Sequence, residues 1–130
     1  MPTILLVDDE PAILHAFRRV YRSEDLRLLT ASSAAEALKL FVAEKPGVVV
    51  LDVHLPDSSG LATFRQLRTL EARTPIILIT GHGTTELAIE AMKEGAFDFL
   101  LKPLELAEVR EVIDRARRSS QLMTVPAVIS

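Results

Sequence analysis

The sequence predicts an α/β protein built on a doubly wound, five-stranded parallel sheet. Three observations carry that prediction. Short apolar runs without polar alternation recur along the chain, as in Thr3-Ile4-Leu5-Leu6-Val7 and Pro75-Ile76-Ile77-Leu78-Ile79. Such runs mark strands buried on both faces. Segments with apolar residues at helical spacing lie between them. Four of the runs end in chemistry-bearing residues: Asp8-Asp9, Asp52, Thr80 and Lys102-Pro103.

Taken in order, Thr3 to Val7 is the first strand. Pro11 to Tyr21 is a helix with Ile13, Leu14, Phe17 and Val20 on one face, and Pro11 is tolerated in its first turn. Leu26 to Ala31 is weaker and more polar, as an edge strand would be. Ser33-Ala34-Ala35-Glu36 reads as a capping box ahead of Ala37, Leu38, Leu40 and Phe41, and this helix stops before Pro46. Gly47 to Leu51 is the third strand, running into Asp52, and Gly60 to Leu70 is a helix with Leu61, Phe64 and Leu67 on its apolar face. Pro75 to Ile79 is the fourth strand, running into Thr80. Thr84 or Thr85 caps a helix reaching Glu94, which Gly95 terminates. Phe97 to Leu101 is the fifth strand. The last helix runs from Glu105 to about Ser119, with Arg115, Arg117 and Arg118 in its final turn favouring the helix dipole. Residues 1–119 are one domain, and 120–130, which show no period, read as a linker or tail.

Parallel strands joined by right-handed crossovers give the order 2-1-3-4-5, the flavodoxin-like (βα)5 arrangement. The first and third strands then flank the point where the order reverses. Asp8, Asp9 and Asp52 converge at the carboxyl edge there, which is where open α/β sheets bind ligands.

Bulk composition narrows the function. The chain has 130 residues, 48% of them hydrophobic and 25% charged, as one globular domain should. A net charge of −3 provides no global positive field for nucleic acid, so no direct nucleic-acid contact is expected. The absence of cysteine excludes disulfides and thiolate metal sites and fits a reducing cytoplasm. No basic-then-apolar leader and no run of ~20 apolar residues is present, so a cytoplasmic chain with no membrane contact is expected.

Three neighbouring carboxylates cannot all stay ionised without compensation. A hard divalent cation resolves the conflict, and oxygen ligands select Mg²⁺ or Mn²⁺. One acid can then act as a nucleophile toward phosphorus. Asp52 suits that role because it stands alone after the most apolar run. Asp8 and Asp9 are adjacent, so their side chains diverge and suit the metal. Thr80 and Lys102 would meet the charge spread over the phosphoryl oxygens. Asp57 reads as a bystander in the loop, and Asp25, Asp98 and Asp114 as surface or cap residues. Gly81-His82-Gly83 only partly mimics a dinucleotide fingerprint, because the third glycine is missing and the run follows the wrong strand.

The chain resembles the receiver domains of two-component response regulators. The residues that carry the resemblance are Leu6-Val7-Asp8-Asp9-Glu10-Pro11, Leu51-Asp52-Val53-His54-Leu55-Pro56-Asp57-Ser58-Ser59-Gly60, Ile79-Thr80-Gly81-His82-Gly83 and Gly95-Ala96-Phe97-Asp98-Phe99-Leu100-Leu101-Lys102-Pro103. It spans roughly residues 3–118. It implies a phosphoryl group donated to Asp52 by a sensor histidine kinase. It also implies Mg²⁺ held by Asp8, Asp9, Asp52 and the backbone carbonyl of His54, with Thr80 and Lys102 on the phosphoryl group and a cis Lys102-Pro103 bond. Phe99 occupies the switch-aromatic position, with a Phe where Tyr is commoner. The implied protein is a phospho-acceptor switch and not a turnover enzyme, read out through helix four, strand five and helix five by a partner or a second protomer.

Residues 80–104 are similar to the nitrogen-regulatory subfamily, in which an AAA+ ATPase acting on sigma-54 transcription and a DNA-binding module follow the receiver. That output is analogy only. His54 and His82 overhang the site and are candidates for tuning the lifetime of the phosphorylated state. Two rivals stand beside this reading. A haloacid-dehalogenase-type phosphohydrolase would want an acid where His54 stands. A pseudo-receiver would only mediate interaction.

Overall fold

The structure is a computed structural model that describes residues 2–22, 25–81 and 83–124. The sheet has five parallel strands: β1 Thr3–Val7, β2 Arg27–Ala31, β3 Val48–Asp52, β4 Ile76–Thr80 and β5 Asp98–Leu101. Five helices alternate with them: α1 Pro11–Tyr21, α2 Ala34–Glu44, α3 Gly60–Leu70, α4 Thr85–Lys93 and α5 Leu106–Thr124. The strand order is β2-β1-β3-β4-β5, as expected from the crossover rule.

Strand periodicity divides the core into two. Leu5, Val7, Val49, Leu51, Ile76 and Leu78 face α2, α3 and α4, and pack with Phe41, Phe64 and Leu67. Their neighbours Ile4, Leu6, Val48, Val50, Ile77 and Ile79 face α1 and α5, and pack with Phe17, Val109 and Ile113. Both faces are therefore covered, which explains why the strand sequences do not alternate. Each fully buried Leu or Ile contributes roughly 1.5–3 kcal/mol from burial. The sheet is thus a stiff platform, and its carboxyl edge inherits that stiffness.

The helix ends obey local rules with some changes of partner. Ser33 caps α2 by accepting from the Glu36 N–H at 3.2 Å. The other half of the box is displaced by one residue, because the Glu36 carboxylate accepts from the Ser32 N–H at 2.8 Å. Lys45 ends α2 in the left-handed region (φ 47°) ahead of Pro46. Gly95 (φ 106°) ends α4, and a Cβ there would come within 2.7 Å of the Arg68 guanidinium.

Two sequence expectations need correction at the C-terminus. Helix α5 continues to Thr124, past the end expected near Ser119. Ser119 and Ser120 are only mildly unfavourable in a helix, and no glycine or proline intervenes before Pro126. Arg115, Arg117 and Arg118 therefore lie within the helix and not in its last turn. Arg115 pairs with Asp98 at 2.9 Å and Glu111 at 2.8 Å, while Arg117 stands 3.8 Å from Asp114. Residues 125–130 lie outside the described residues.

Candidate functional site

Asp8 immediately follows β1, and Asp52 is the last residue of β3. Because β1 and β3 are neighbours in register (Val7 opposite Leu51), the two carboxylates meet at the carboxyl edge. Asp8 is fully buried and Asp52 is 3% exposed. Each is oriented by the backbone two residues on: Asp8 Oδ1 accepts from the Glu10 N–H at 2.8 Å, and Asp52 Oδ1 accepts from the His54 N–H at 2.9 Å. Such turns aim the second oxygen of each acid at the space between them.

A further carboxylate, Glu10, joins the cluster. Asp8, Glu10 and Asp52 each place an oxygen within 4.8 Å of the others, whereas Asp9 is exposed and outside that trio. The turn that Asp8 Oδ1 closes with the Glu10 N–H keeps Glu10 beside Asp8.

Lys102 follows β5 and reaches back over the cluster. Its Nζ is 3.2 Å from Asp52 Oδ2 and 3.9 Å from Asp8 Oδ2, and it is ion-paired with Glu10. The Lys102-Pro103 bond is cis, as the resemblance implied. Burial draws the Lys102 ammonium down, but Glu10, Asp8 and Asp52 outweigh it and hold its pKa above the usual value. Lys102 is thus a fixed cation.

Thr80 ends β4, beside Asp52 on the neighbouring strand, and its side chain is fully buried. Its hydroxyl pairs with that of Thr84. Phe99, half-buried on β5, packs on the α2-α3-α4 side of the sheet. His54 is exposed at the rim and forms a bridge with Ser59. His82 lies outside the described residues. Asp57 is more than a loop bystander: its carboxylate accepts from the Ala34 N–H at 2.8 Å and the Ala35 N–H at 3.2 Å. It fastens the loop after β3 to the start of α2, and those amide bonds hold its pKa below the ordinary value.

The donor set fits a hard divalent cation. Three carboxylate oxygens converge, and Asp8 Oδ2 is buried without a hydrogen-bond donor. Burial pushes the Asp8 carboxyl up to about 7, from an ordinary 3.8; the Glu10 N–H opposes this, the Asp52 charge adds to it and Lys102 opposes it. An acid whose pKa is raised by folding holds its proton more tightly in the folded state. That contribution favours the fold below the ordinary 3.8 and is lost as pH rises through about 7. A cation ligated by Asp8 must displace the proton. We therefore expect Mg²⁺ affinity to fall by up to about tenfold per pH unit below the raised pKa and to level off above it, with proton release on binding over the same acidic range. Calorimetric titration in buffers of different ionisation enthalpy checks this. An affinity that is flat with pH and releases no proton contradicts it.

The chain matches known proteins over nearly its whole length. The profile of the family described as "Response regulator receiver domain" matches residues 4–114. The regulatory protein AtoC of Escherichia coli is 34% identical over 113 residues, which are 87% of this chain and 24% of that protein. The C4-dicarboxylate transport transcriptional regulatory protein DctD of Pseudomonas aeruginosa is 37% identical over 92% of this chain and 26% of its own length. The chain thus spans about a quarter of the length of these curated relatives. Among solved structures, a response regulator receiver domain protein from Clostridium thermocellum superposes with a TM-score of 0.89 at 33% identity, covering 95% of this chain and 100% of that one. NtrX from Brucella abortus in complex with ADP gives 0.86 at 32% identity, covering 95% of this chain and 29% of that one.

Proposed function

The chain belongs to the response regulator receiver domain family, and on that premise we propose that it is a phospho-acceptor switch whose nucleophile is Asp52. The observation that carries the reading is the contact of one buried carboxylate with one fixed ammonium, Asp52 with Lys102 at 3.2 Å, inside an acidic cluster. An isolated ion pair needs no further carboxylates. A site that must accept a dianionic group and a divalent cation needs both signs of charge together.

Asp8, Asp9, Asp52 and the His54 carbonyl would hold Mg²⁺ (or Mn²⁺), with the Glu10 carboxylate beside Asp8 and Asp52. When bound, that ion supplies charge neutralisation for the incoming phosphoryl oxygens. The chain's own residues do the rest. Asp52 presents a carboxylate oxygen, kept in place by the His54 N–H. Lys102 exchanges its carboxylate partners for phosphoryl oxygens, and the Thr80 hydroxyl turns toward the same group. Phosphorylation replaces the single negative charge of the carboxylate with a phosphoryl group carrying about −1.5 to −2, so these movements are driven electrostatically. His54, exposed at the rim, and His82, which lies outside the described residues, are the candidates for tuning how long the phosphoryl group survives, against the plainer reading of two loop histidines.

The output surface in this reading is made by α4, β5 and α5. Phe99 turns inward when Thr80 moves, and it acts through packing because it lacks a hydroxyl. Ile89 and Met92 on α4 and Leu106 on α5 are exposed while Leu87 packs inward, so the apolar residues of α4 divide between core and surface. A sensor histidine kinase supplies the phosphoryl group. A second protomer, or an output domain of the AAA+ and DNA-binding kind controlling transcription, reads the surface. The setting is cytoplasmic, and among the described residues no helix is long and apolar enough to cross a membrane.

The test is direct. Incubated with acetyl phosphate and Mg²⁺, the protein should gain the mass of one phosphoryl group. The gain should vanish without the ion and in Asp52→Asn. Steady hydrolysis of simple phosphate esters would favour a phosphohydrolase instead, and no mass gain at all would favour a pseudo-receiver.

A further inference from the structure

Thr84 occupies the N-cap position of α4 but makes no side-chain cap bond. Its hydroxyl turns back toward β4. There Thr84 Oγ1 accepts from the Gly81 N–H at 3.0 Å, lies 3.0 Å from the Gly81 carbonyl oxygen and pairs with Thr80 Oγ1. A hydroxyl has one proton and two acceptor lone pairs. With its proton on the Gly81 carbonyl, Thr84 Oγ1 accepts from both the Gly81 N–H and the Thr80 O–H. One oxygen thus takes two donors at the end of β4, the strand that neighbours Asp52. Thr80 ends the strand next to Asp52, and Gly81 adjoins Lys102, whose Cδ would lie 3.8 Å from a Cβ built on Gly81.

We propose that the Thr84 hydroxyl is an internal competitor for the phosphoryl group: it holds the Thr80 O–H and Gly81 N–H in the unphosphorylated state and must be displaced before a phosphoryl oxygen on Asp52 can take them. The inference rests on Asp52 being the acceptor. Sequence convention assigns a threonine at this position to capping, but the cap bond is missing and the hydroxyl is spent inside the site. Among the described residues the buried Thr80 hydroxyl has one long alternative, the Gly81 carbonyl at 3.4 Å. Displacement also has a mechanical consequence. The Thr84 carbonyl accepts the first helical bonds of α4, from the Leu87 N–H at 3.1 Å and the Ala88 N–H at 3.4 Å. Releasing the Thr84 side chain therefore frees the start of the helix that carries Ile89 and Met92.

Beryllium fluoride with Mg²⁺, a phosphoryl analogue that transfers nothing, isolates the competition from the chemistry. In the transfer itself a P–O bond forms to an Asp52 oxygen while the bond to the donor's acetate oxygen breaks and acetate leaves. Thr84 gains or loses no covalent bond. The full chain and its Thr84→Val, Thr84→Ala and Thr84→Ser variants are titrated with this probe, and thermal melting confirms that each is folded. Removing the competing hydroxyl should tighten binding roughly three- to tenfold in the Val and Ala variants. Serine, which keeps the hydroxyl, should match the wild type. Val and Ala variants that bind as the wild type does or more weakly overturn the proposal, as does a serine variant that behaves like valine. Wild-type protein that binds no probe and gains no phosphoryl group at Asp52 sinks the acceptor reading and the competitor together. Failure of the competitor alone leaves wild-type binding intact.

Discussion

Gly60→Ala should lose at least about 3 kcal/mol of stability, or fail to fold. A Cβ at position 60 would lie 2.3 Å from Val53 Cα and 2.8 Å from the Asp52 carbonyl oxygen. Both are backbone atoms of the segment that carries Asp52, so no side-chain rotation relieves the clash. The close approach exists because the Gly60 N–H donates to the Val53 carbonyl at 2.6 Å, binding the start of α3 to the end of β3. Overpacking a tight core contact costs about 1–3 kcal/mol and sometimes more, and a clash against backbone belongs at the upper end. A melting temperature lower by about 10 °C or more is the expected readout for a domain of this size. A variant that melts like the wild type would show that α3 can withdraw from the loop at little cost. Its Mg²⁺ affinity would then show whether the metal site withdrew with it.

Lys102→Met should reduce phosphoryl incorporation from acetyl phosphate by about a hundredfold or more, the usual effect of deleting a positioned charge at a reacting centre. The side chain touches Asp8, Glu10 and Asp52. Its removal leaves those acids to repel one another in a partly desolvated space. Because Lys102 lowers the Asp8 pKa, which already stands at about 7, its loss raises that value further. The stability deficit of the variant should therefore widen as pH rises through and beyond neutrality and shrink in acid, where Asp8 is protonated. It should amount to about 1–3 kcal/mol, a buried-pair figure discounted for the partial exposure of Lys102. Added Mg²⁺ should restore much of it. Urea unfolding on either side of neutrality, with and without the ion, measures the effect. Wild-type phosphorylation in this variant would remove the cation from the account.

The sheet was legible because its strands are buried on both faces, and unbroken apolar runs such as Val48 to Leu51 have no other economical reading. The convergence of Asp8, Asp52, Thr80 and Lys102 followed from strand order alone, since parallel strands share a carboxyl edge. What was not legible depends on tertiary partners or on side-chain direction. Glu10 joins the cluster through the turn that its N–H closes on Asp8 Oδ1, a contact no local pattern announces. Asp57 caps a helix that begins earlier in the sequence, and no local pattern announces a cap lent from a different loop. Thr84 carries the signature of a capping residue and spends its hydroxyl elsewhere. The end of α5 was not legible because the apolar period is lost after residue 119 and the arginines before it suit a last turn, yet nothing in Ser119 and Ser120 forbids a helix already nucleated and packed through Val112, Ile113 and Ala116.

The central claim is that the phosphoryl group resides on one particular carboxylate, and peptide-level trapping tests it most directly. Protein treated with acetyl phosphate and Mg²⁺ is reduced with borohydride, which converts an aspartyl phosphate to homoserine, and is then digested and sequenced by mass spectrometry. The account predicts homoserine at position 52 and nowhere else. Label at Asp8, Asp9 or Asp57, or a borohydride-resistant phosphate on a hydroxyl, would contradict it.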